Sequence, residues 1–239
     1  MRPSADKNSP TGNARDYSDW IQPPLQGCWY LTGPTCSGKT PIAIEIAEKL
    51  NAEIISLDSM AIYRGMDIGT AKPSAAERAR VPHHLIDIVD PTELFSVSNY
   101  VLEAHRVADA IRQKGKNVLL CGGTPLYLKS LIRGSFLGPA ADWEFRQAVE
   151  TDLREHGEQS LLERLRQVDP LLAYKLHPHD HRRIIRALEV AKITGKPLSH
   201  WQQQFDHPAS PAVGPVVVLR LERQRLHQRI NRRVDHMLK

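Results

Sequence analysis

The chain has 239 residues, few cysteines and no long apolar run. Its three cysteines, Cys28, Cys36 and Cys121, lie far apart without a C-x-x-C pair. This spacing argues against a disulfide framework and against a cysteine zinc site, and it indicates a reducing compartment. No stretch of about 18 apolar residues is present, so no membrane span is expected. The N-terminus has no apolar segment typical of a secretory signal, and we expect a cytoplasmic protein.

An excess of basic over acidic residues is absent from the first half of the chain and confined to the second half. Residues 1–120 carry 13 Lys and Arg against 14 Asp and Glu, whereas residues 121–239 carry 19 against 13. The hydrophobic share of 41% is ordinary for a globular protein with a full core. A near-neutral first half and a basic second half suggest that the second half binds an anionic macromolecule.

A phosphate-loop pattern, G-x-x-x-x-G-K-[ST], is formed by eight consecutive residues: Gly33, Pro34, Thr35, Cys36, Ser37, Gly38, Lys39 and Thr40. The glycines let the backbone wrap around an anion, and Lys39 adds a positive charge. The Thr40 hydroxyl can bind Mg²⁺. An apolar strand precedes the loop and a helical pattern through Leu50 follows it, as this motif requires. The pattern predicts a diphosphate or triphosphate ligand but not the reaction.

Strands alternate with helices on either side of this loop. Apolar runs predict strands at residues 28–32, 53–57, 85–89, 117–121 and 215–221, and Ser96 or Ser98 caps a helix through Gln113. The fold class is therefore α/β, with a parallel sheet like that of phosphate-loop NTPases flanked by helices. Asp58 follows the second strand at its carboxyl end, where such sheets bind ligands, although it could also be a turn aspartate.

The strand that ends at Cys121 is not followed by an acidic residue. Many phosphate-loop NTPases place an Mg²⁺-binding aspartate at the end of a comparable strand. Here Gly122, Gly123 and Thr124 follow instead. Two glycines allow a substrate to approach the backbone closely, so the pattern argues against a motor-type ATPase.

The segments outside the core have their own character. Residues 1–26 are polar and proline-rich, which predicts a disordered tail. Residues 27–137 and 207–239 form the predicted phosphate-loop core, and residues 138–206 form a predicted α-helical insertion domain. His177, His179 and His181 cluster within this insertion. Pro178 intervenes and no cysteine is near, so roles in a turn or facing RNA are favoured over zinc.

Basic residues begin one helix of the insertion and fill the last helix of the chain. Arg182, Arg183 and Arg186 have the spacing to face a backbone phosphate, although a solvated basic face is equally compatible with the pattern. Five arginines lie in the final helical stretch: Arg223, Arg225, Arg229, Arg232 and Arg233.

Four segments together resemble tRNA dimethylallyltransferases. The first is the phosphate loop. The others are residues 58–73 (DSMAIYRGMDIGTAKP), residues 122–127 (GGTPLY) and residues 182–190 (RRIIRALEV). The resemblance extends over most of residues 27–239. That family transfers a dimethylallyl group from dimethylallyl diphosphate to N6 of the adenosine just 3′ of the tRNA anticodon.

The resemblance implies a role for each matching residue. The phosphate loop and Arg223 would hold the diphosphate, with Mg²⁺ on Thr40. Asp58 would accept a proton from, or a hydrogen bond of, the attacking amine, and Thr124 would hold the target adenosine. The implied tRNA contacts are Asp58, Ser59, Met60, Ala61, Thr124, Arg146, Arg182, Arg183, Ile184, Ile185 and Arg186. The insertion would grip the anticodon stem-loop, and we expect a monomer.

The sequence departs from the family pattern at three places. Ala61 stands where many members have glutamine, and Pro125 where glycine is common. Both changes affect the region expected to grip the base. The family also continues past residue 239 through a further Gly-Tyr-Arg motif, so this chain is expected to bind diphosphate but to transfer the prenyl group poorly.

Two functions of other classes compete with prenyl transfer. One is a small-molecule kinase that uses the same loop on ATP, and the other is a non-catalytic RNA-binding module. A related adenylate prenyltransferase would share the core, but the long helical insertion favours tRNA as the acceptor.

Overall fold

A computed structural model describes residues 20–206 and 208–238 of the chain. Its strands are β1 (Ile21–Gln22), β2 (Trp29–Thr32), β3 (Ala52–Ser56), β4 (His83–His84), β5 (Asn117–Gly122), β6 (Ser135–Phe136) and β7 (Val216–Val218). Within the described ranges, five of them form a sheet in the order β4-β3-β5-β2-β7, and all neighbours are parallel. Parallel pairing requires crossover connections, which the helices provide.

The helices are α1 (Lys39–Leu50), α2 (Ala75–Arg80), α3 (Val97–Gln113), α4 (Pro125–Arg133), α5 (Trp143–Val168), α6 (Pro170–Lys175), α7 (His181–Thr194), α8 (Leu198–Trp201) and α9 (Arg223–Met237). The start of α3 is fixed by the Ser96 cap that the sequence predicts, because the Ser96 hydroxyl accepts from the Asn99 N–H at 3.1 Å. Among the described residues, no helix is both long and apolar enough to cross a membrane.

The central strands of the sheet are buried on both faces, whereas the edge strand β7 is exposed. One face packs against α1 through Leu31, Ala43 and Ile44, and the other packs against α3 and α4 through Leu120, Tyr100 and Leu131. Strands covered on both sides are mostly apolar, as residues 118–120 of β5 are here, although β3 also carries the buried Glu53. The predicted α/β architecture, a parallel sheet flanked by helices, is confirmed.

One predicted strand is wrong. The sequence predicts a strand over residues 85–89, but the strand at this position is His83–His84, and it ends where Leu85 adopts a φ of 58°. Asp87 also has a positive φ, 57°, which an extended ladder does not allow. The chain instead donates from the Asp87 and Ile88 N–H groups to the carbonyls of Ala61 and Ile62. Hydrogen bonds from residues 87 and 88 to residues 61 and 62 therefore take the place of hydrogen bonds to a neighbouring strand of the sheet.

The prediction that residues 1–26 form a disordered tail is wrong for residues 20–26. Residues 1–19 lie outside the described residues, but residues 20–26 are ordered. β1 pairs antiparallel with β6, and the Leu25 N–H donates to the Leu131 carbonyl at 2.8 Å. The Leu25 side chain is buried in the core beside α3. Tertiary contacts have ordered a segment whose local pattern carries no secondary-structure signal.

Helices α5 to α8 pack around an apolar cluster of their own. Its buried members include Val149, Leu161, Leu165, Ile184, Leu188 and Trp201. Phe136 of β6 stacks on Trp201 with 4.8 Å between ring centroids, which joins this cluster to the small β1-β6 sheet. Helix α5 is kinked at Gly157, where φ is 77° and ψ is 173°.

Candidate functional site

The phosphate loop connects the end of β2 to the first turn of α1. β2 ends at Thr32, and Gly38, with a φ of 90°, is the N-cap residue before Lys39. Cys36 also adopts a left-handed conformation, with a φ of 60°. Successive left-handed and right-handed residues turn backbone N–H groups toward one side, and the positive end of the α1 dipole faces the same side. This geometry suits an anion.

Two side chains of the loop have polar groups that a ligand would satisfy. The Lys39 ammonium donates to the carbonyl oxygens of Gly33 and Pro34, at 3.0 and 2.8 Å. Burial lowers the pKa of Lys39, so a nearby anion would stabilise its charged form. The Ser37 Oγ is buried and has no hydrogen-bond partner among the described residues. A buried hydroxyl without a partner is costly, and a phosphate oxygen would provide one.

Two glycines bring the carboxyl ends of the strands together. A Cβ on Gly122 would lie 2.3 Å from the Leu57 carbonyl oxygen, and a Cβ on Gly33 would lie 2.8 Å from that of Leu219. Both distances are shorter than any side chain tolerates. The Gly-Gly-Thr turn after β5 therefore approaches the end of β3 as closely as backbones can.

Asp58 and Thr124 are connected where the turn after β5 meets the end of β3. The Ser59 N–H donates to Thr124 Oγ1 at 3.0 Å, and the Thr124 N–H donates to the Leu57 carbonyl at 3.1 Å. The Asp58 Oδ1 accepts from the N–H groups of Met60 and Ala61, at 2.8 and 3.2 Å. Asp58 is therefore a turn aspartate, but its Oδ2 accepts no hydrogen bond within the described part of the chain. One carboxylate oxygen stays available to a ligand.

A cavity lies between the phosphate loop and the ends of β3 and β5. Its polar lining includes Lys39, Thr40 and Asp58, and its apolar lining includes Ala43 and Ala61. Lys39 and Thr40 of the phosphate loop thus share one cavity with Asp58. Thr124 does not line this cavity, but it accepts a hydrogen bond from Ser59, the residue after Asp58. Such a cavity can hold a charged group at one end and a small hydrocarbon group at the other.

Lys72 is a residue of this region that sequence reasoning missed. Its side chain is 3% exposed and donates to the Tyr63 carbonyl at 2.6 Å and to Asp67 and Asp87 at 2.7 and 2.5 Å. Lys72 also lines the cavity. It fixes the ordered loop over residues 63–73 against the segment after β4. The signal in the sequence was a lysine within the long 58–73 motif.

Helix α9 places two further arginines on the phosphate loop. Arg233 donates to Thr35 Oγ1 at 3.0 Å and to the Gly69 carbonyl at 2.9 Å, and Arg229 lies 3.4 Å from the Cys36 carbonyl. The two residues are one helical turn apart, so they share a face. Arg223, the predicted diphosphate ligand, is exposed at the first position of α9 and makes no hydrogen bond or ion pair to another described residue.

The predicted tRNA contacts on α5 and α7 separate into two groups. Arg146 binds both oxygens of the buried Glu189 at 2.8 Å, and Arg186 binds one of them at 2.5 Å. Ile184 and Ile185 are buried in the helical cluster, so their side chains face the core of the helical segment. Apolar side chains on the inner face of α7 fill the core because their spacing follows the helical repeat. Arg182 and Arg183 are exposed.

Comparison with known proteins matches this arrangement. The sequence profile described as IPP transferase matches residues 61–239. A tRNA dimethylallyltransferase from Rhodopirellula baltica is 54% identical over 215 residues, which cover 87% of this chain and 64% of that protein. The tRNA dimethylallyltransferase 1 of Pelobacter propionicus is 44% identical, over 90% of this chain and 70% of its own length. The chain thus spans about two thirds of these relatives.

Solved structures give the same result. The full-length tRNA isopentenylpyrophosphate transferase of Bacillus halodurans is 40% identical, with a TM-score of 0.55 over 89% of this chain and 66% of that one. A eukaryotic dimethylallyltransferase acting on tRNA is 29% identical, with a TM-score of 0.70 over 88% of this chain and 52% of its own. None of these four proteins is named as a kinase or as a non-catalytic RNA-binding module.

Proposed function

Because the chain belongs to the IPP transferase family, we propose that it transfers a dimethylallyl group from dimethylallyl diphosphate to N6 of the adenosine 3′ of the tRNA anticodon. The observation that carries the proposal is that Lys39, Thr40 and Asp58 line one cavity, while Thr124 is hydrogen-bonded to Ser59, the residue after Asp58. A diphosphate, a proton acceptor and an RNA base can meet there. Many phosphate-loop ATPases use an acidic residue after a strand comparable to β5, and this chain has Gly-Gly-Thr.

The diphosphate would bind to the loop backbone, the Lys39 ammonium and the Ser37 hydroxyl. Arg233 and Arg229 supply two more positive charges beside the loop, and Arg223 starts the same helix. Stabilising the diphosphate matters most because an exocyclic adenine amine is a poor nucleophile. The charge that develops on the leaving oxygen would then face fixed donors that need no rearrangement.

We propose Mg²⁺ as the cofactor, bound at Thr40. The Thr40 hydroxyl lines the cavity and makes no hydrogen bond within the described ranges, so it is a free oxygen donor of the kind Mg²⁺ prefers. When bound, the ion would neutralise negative charge on the diphosphate.

The acceptor base would leave the anticodon loop to reach the cavity. In the transfer step a bond forms between N6 and C1 of the dimethylallyl group, and the bond between C1 and the diphosphate oxygen breaks. Asp58 Oδ2 would accept the proton that N6 loses, while Oδ1 stays bound to the backbone of Met60 and Ala61. Thr124 and Ser59 would position the adenosine, and exposed Met60 would contact its surroundings.

The helical segment over residues 138–206 would bind the anticodon stem-loop as an insertion in the core. Arg182 is exposed and available for phosphate contacts, and Arg183 is exposed but paired with Asp180 at 3.0 Å. Arg146 and Arg186 are held by the buried Glu189. Single-stranded loops expose bases for recognition, which fits a modification next to the anticodon. We propose that the protein acts as a monomer, and in the cytoplasm, where tRNA is used.

Label transfer tests this function. The purified chain is incubated with labelled dimethylallyl diphosphate, Mg²⁺ and an unmodified anticodon stem-loop, and the label retained in RNA is measured. A parallel reaction replaces dimethylallyl diphosphate with ATP. We expect RNA labelling that Lys39→Ala reduces and no ATP turnover. ATP hydrolysis or phosphoryl transfer without RNA labelling would overturn the proposal in favour of a kinase.

A further inference from the structure

Three potential metal ligands meet where α5 is kinked. Glu158 Oε1 lies 2.7 Å from His181 Nε2, and Glu158 Oε2 contacts His179 Nδ1. The ligand atoms of all three side chains lie within 4.8 Å of one another. No residue of this cluster has a part in the proposed prenyl transfer, and the site lies in the helical segment rather than at the phosphate loop.

The backbone fixes this arrangement from both sides. Gly157 breaks α5 with a φ of 77°, and Glu158 is the next residue, so the kink directs it toward the start of α7. On the other side, Asp180 caps α7 by accepting from the Arg183 N–H. The His179 N–H donates to His177 Nδ1 at 3.2 Å, which closes the preceding turn. Two imidazoles two positions apart therefore face one carboxylate from a distant part of the chain.

We propose that Glu158, His179 and His181 bind a zinc ion. Two imidazole nitrogens and one carboxylate are an established zinc ligand set, with the fourth position left to water or another ligand. The two ring nitrogens are in hydrogen-bonding contact with the two carboxylate oxygens, and a small outward shift of these partly exposed side chains would admit an ion among them. Zinc would replace the hydrogen bonds that now join both histidines to Glu158.

A zinc ion at this position would connect the kink of α5 to the turn before α7. That turn leads into Arg182 and Arg183, two exposed cations of the helical segment. Zinc would thereby hold both arginines in one orientation. The binding site itself does not depend on the proposed function, because zinc binding can be measured without RNA or diphosphate.

The experiment is calorimetric titration of zinc into the metal-free chain without a histidine tag. Co²⁺, whose visible absorption reports imidazole ligands, serves as a second probe. We expect one strong zinc site per chain, weakened about tenfold or more by His179→Ala, His181→Ala or Glu158→Gln, by analogy with the loss caused by disturbing a metal site. Zinc should also raise the Tm of the wild type but not of the double variant at His179 and His181.

The matched control is His156→Ala. His156 lies just before the kink in a second group with Asp152 and Glu155, all exposed and with a single imidazole. Its replacement should leave zinc affinity within about twofold of wild type. Because the His179 side chain is exposed, His179→Ala should keep the fold, and circular dichroism checks that it does. Equal zinc affinity in the wild type and the double variant would overturn the proposal, as would a loss of the site in His156→Ala.

Discussion

Arg233 donates a hydrogen bond to the Oγ1 of Thr35, 198 positions earlier in the chain, at 3.0 Å. The same guanidinium donates to the Gly69 carbonyl at 2.9 Å. One side chain of α9 thus joins the phosphate loop to the loop over residues 63–73. No residue of α9 is fully buried, so polar contacts of this kind, rather than an apolar face, hold the helix on the site.

We expect Arg233→Ala to weaken binding of dimethylallyl diphosphate about tenfold or more, since hydrogen bonds to charged groups contribute about 1.5–3 kcal/mol. Arg232 is the matched control, because it neighbours Arg233 but is exposed and makes no hydrogen bond among the described residues. Arg232→Ala should change the Kd less than twofold. Equal losses in both variants would mean that only the general charge of α9 matters.

Asp58→Asn should reduce the rate of prenyl transfer by roughly 10²-fold or more, the usual contribution of a positioned base. The asparagine Oδ1 can still accept from the Met60 and Ala61 N–H groups, so the turn should persist. Diphosphate affinity should change little. Single-turnover label transfer measures the rate, and an unchanged rate constant would refute the role of Asp58. Asp109→Asn, on the exposed side of α3, is the control.

Arg182→Ala should weaken binding of the anticodon stem-loop and flatten its salt dependence by about one phosphate contact. Arg182 is exposed at the second position of α7 and forms no ion pair within the described residues, so its removal should cost no stability. Fluorescence anisotropy at several salt concentrations measures the slope. A slope identical to that of the wild type would show that Arg182 lies away from the RNA.

Arg146→Ala should lower the free energy of unfolding, in addition to any change in RNA contacts. Glu189 is completely buried and binds Arg146 through both oxygens, so the variant leaves its charge less compensated. Removing one partner of a buried pair costs about 3–5 kcal/mol, and we expect about 2 kcal/mol here because Arg186 remains. Urea unfolding measures the loss. The double variant Arg146→Met with Glu189→Met should recover part of it, and a fully stable Arg146→Ala would contradict this structural role.

Glu53 should make the stability of the core pH-dependent. Burial would raise its pKa, but bonds from Lys116, His84 and Lys114 outweigh it and lower the pKa to about 2 from an ordinary value of 4.5. A depressed folded-state pKa contributes stability that is present above the unfolded value and is lost as the pH falls toward 2. The free energy of unfolding should therefore decrease between pH 4.5 and 2 in the wild type. In Glu53→Gln this decrease should be smaller, and identical pH profiles would contradict the assignment.

Local patterns predicted the elements that carry the phosphate loop. Strands β2, β3 and β5 and helices α1 and α3 follow from apolar runs, glycines and the Ser96 cap, because each of these signals acts within a few residues. The strand predicted at 85–89 was wrong because its conformation depends on hydrogen bonds to residues 61 and 62. The ordered conformation of residues 20–26 likewise depends on contacts with β6 and α4. No local pattern in the sequence indicates these contacts.

The candidate site was predictable as a set of residues but not as a geometry. The sequence by itself determined the α/β class, the phosphate loop, Asp58 and Thr124, because motif spacing and strand ends are local properties. Only the tertiary structure decided which arginines touch the loop, which ones are bound to Glu189, and that Ile184 and Ile185 are buried. It also brought Glu158 to His179 and His181, whose spacing alone had argued against a metal. Contacts between distant segments depend on packing and on backbone kinks such as Gly157, and neither is encoded within a single stretch of sequence.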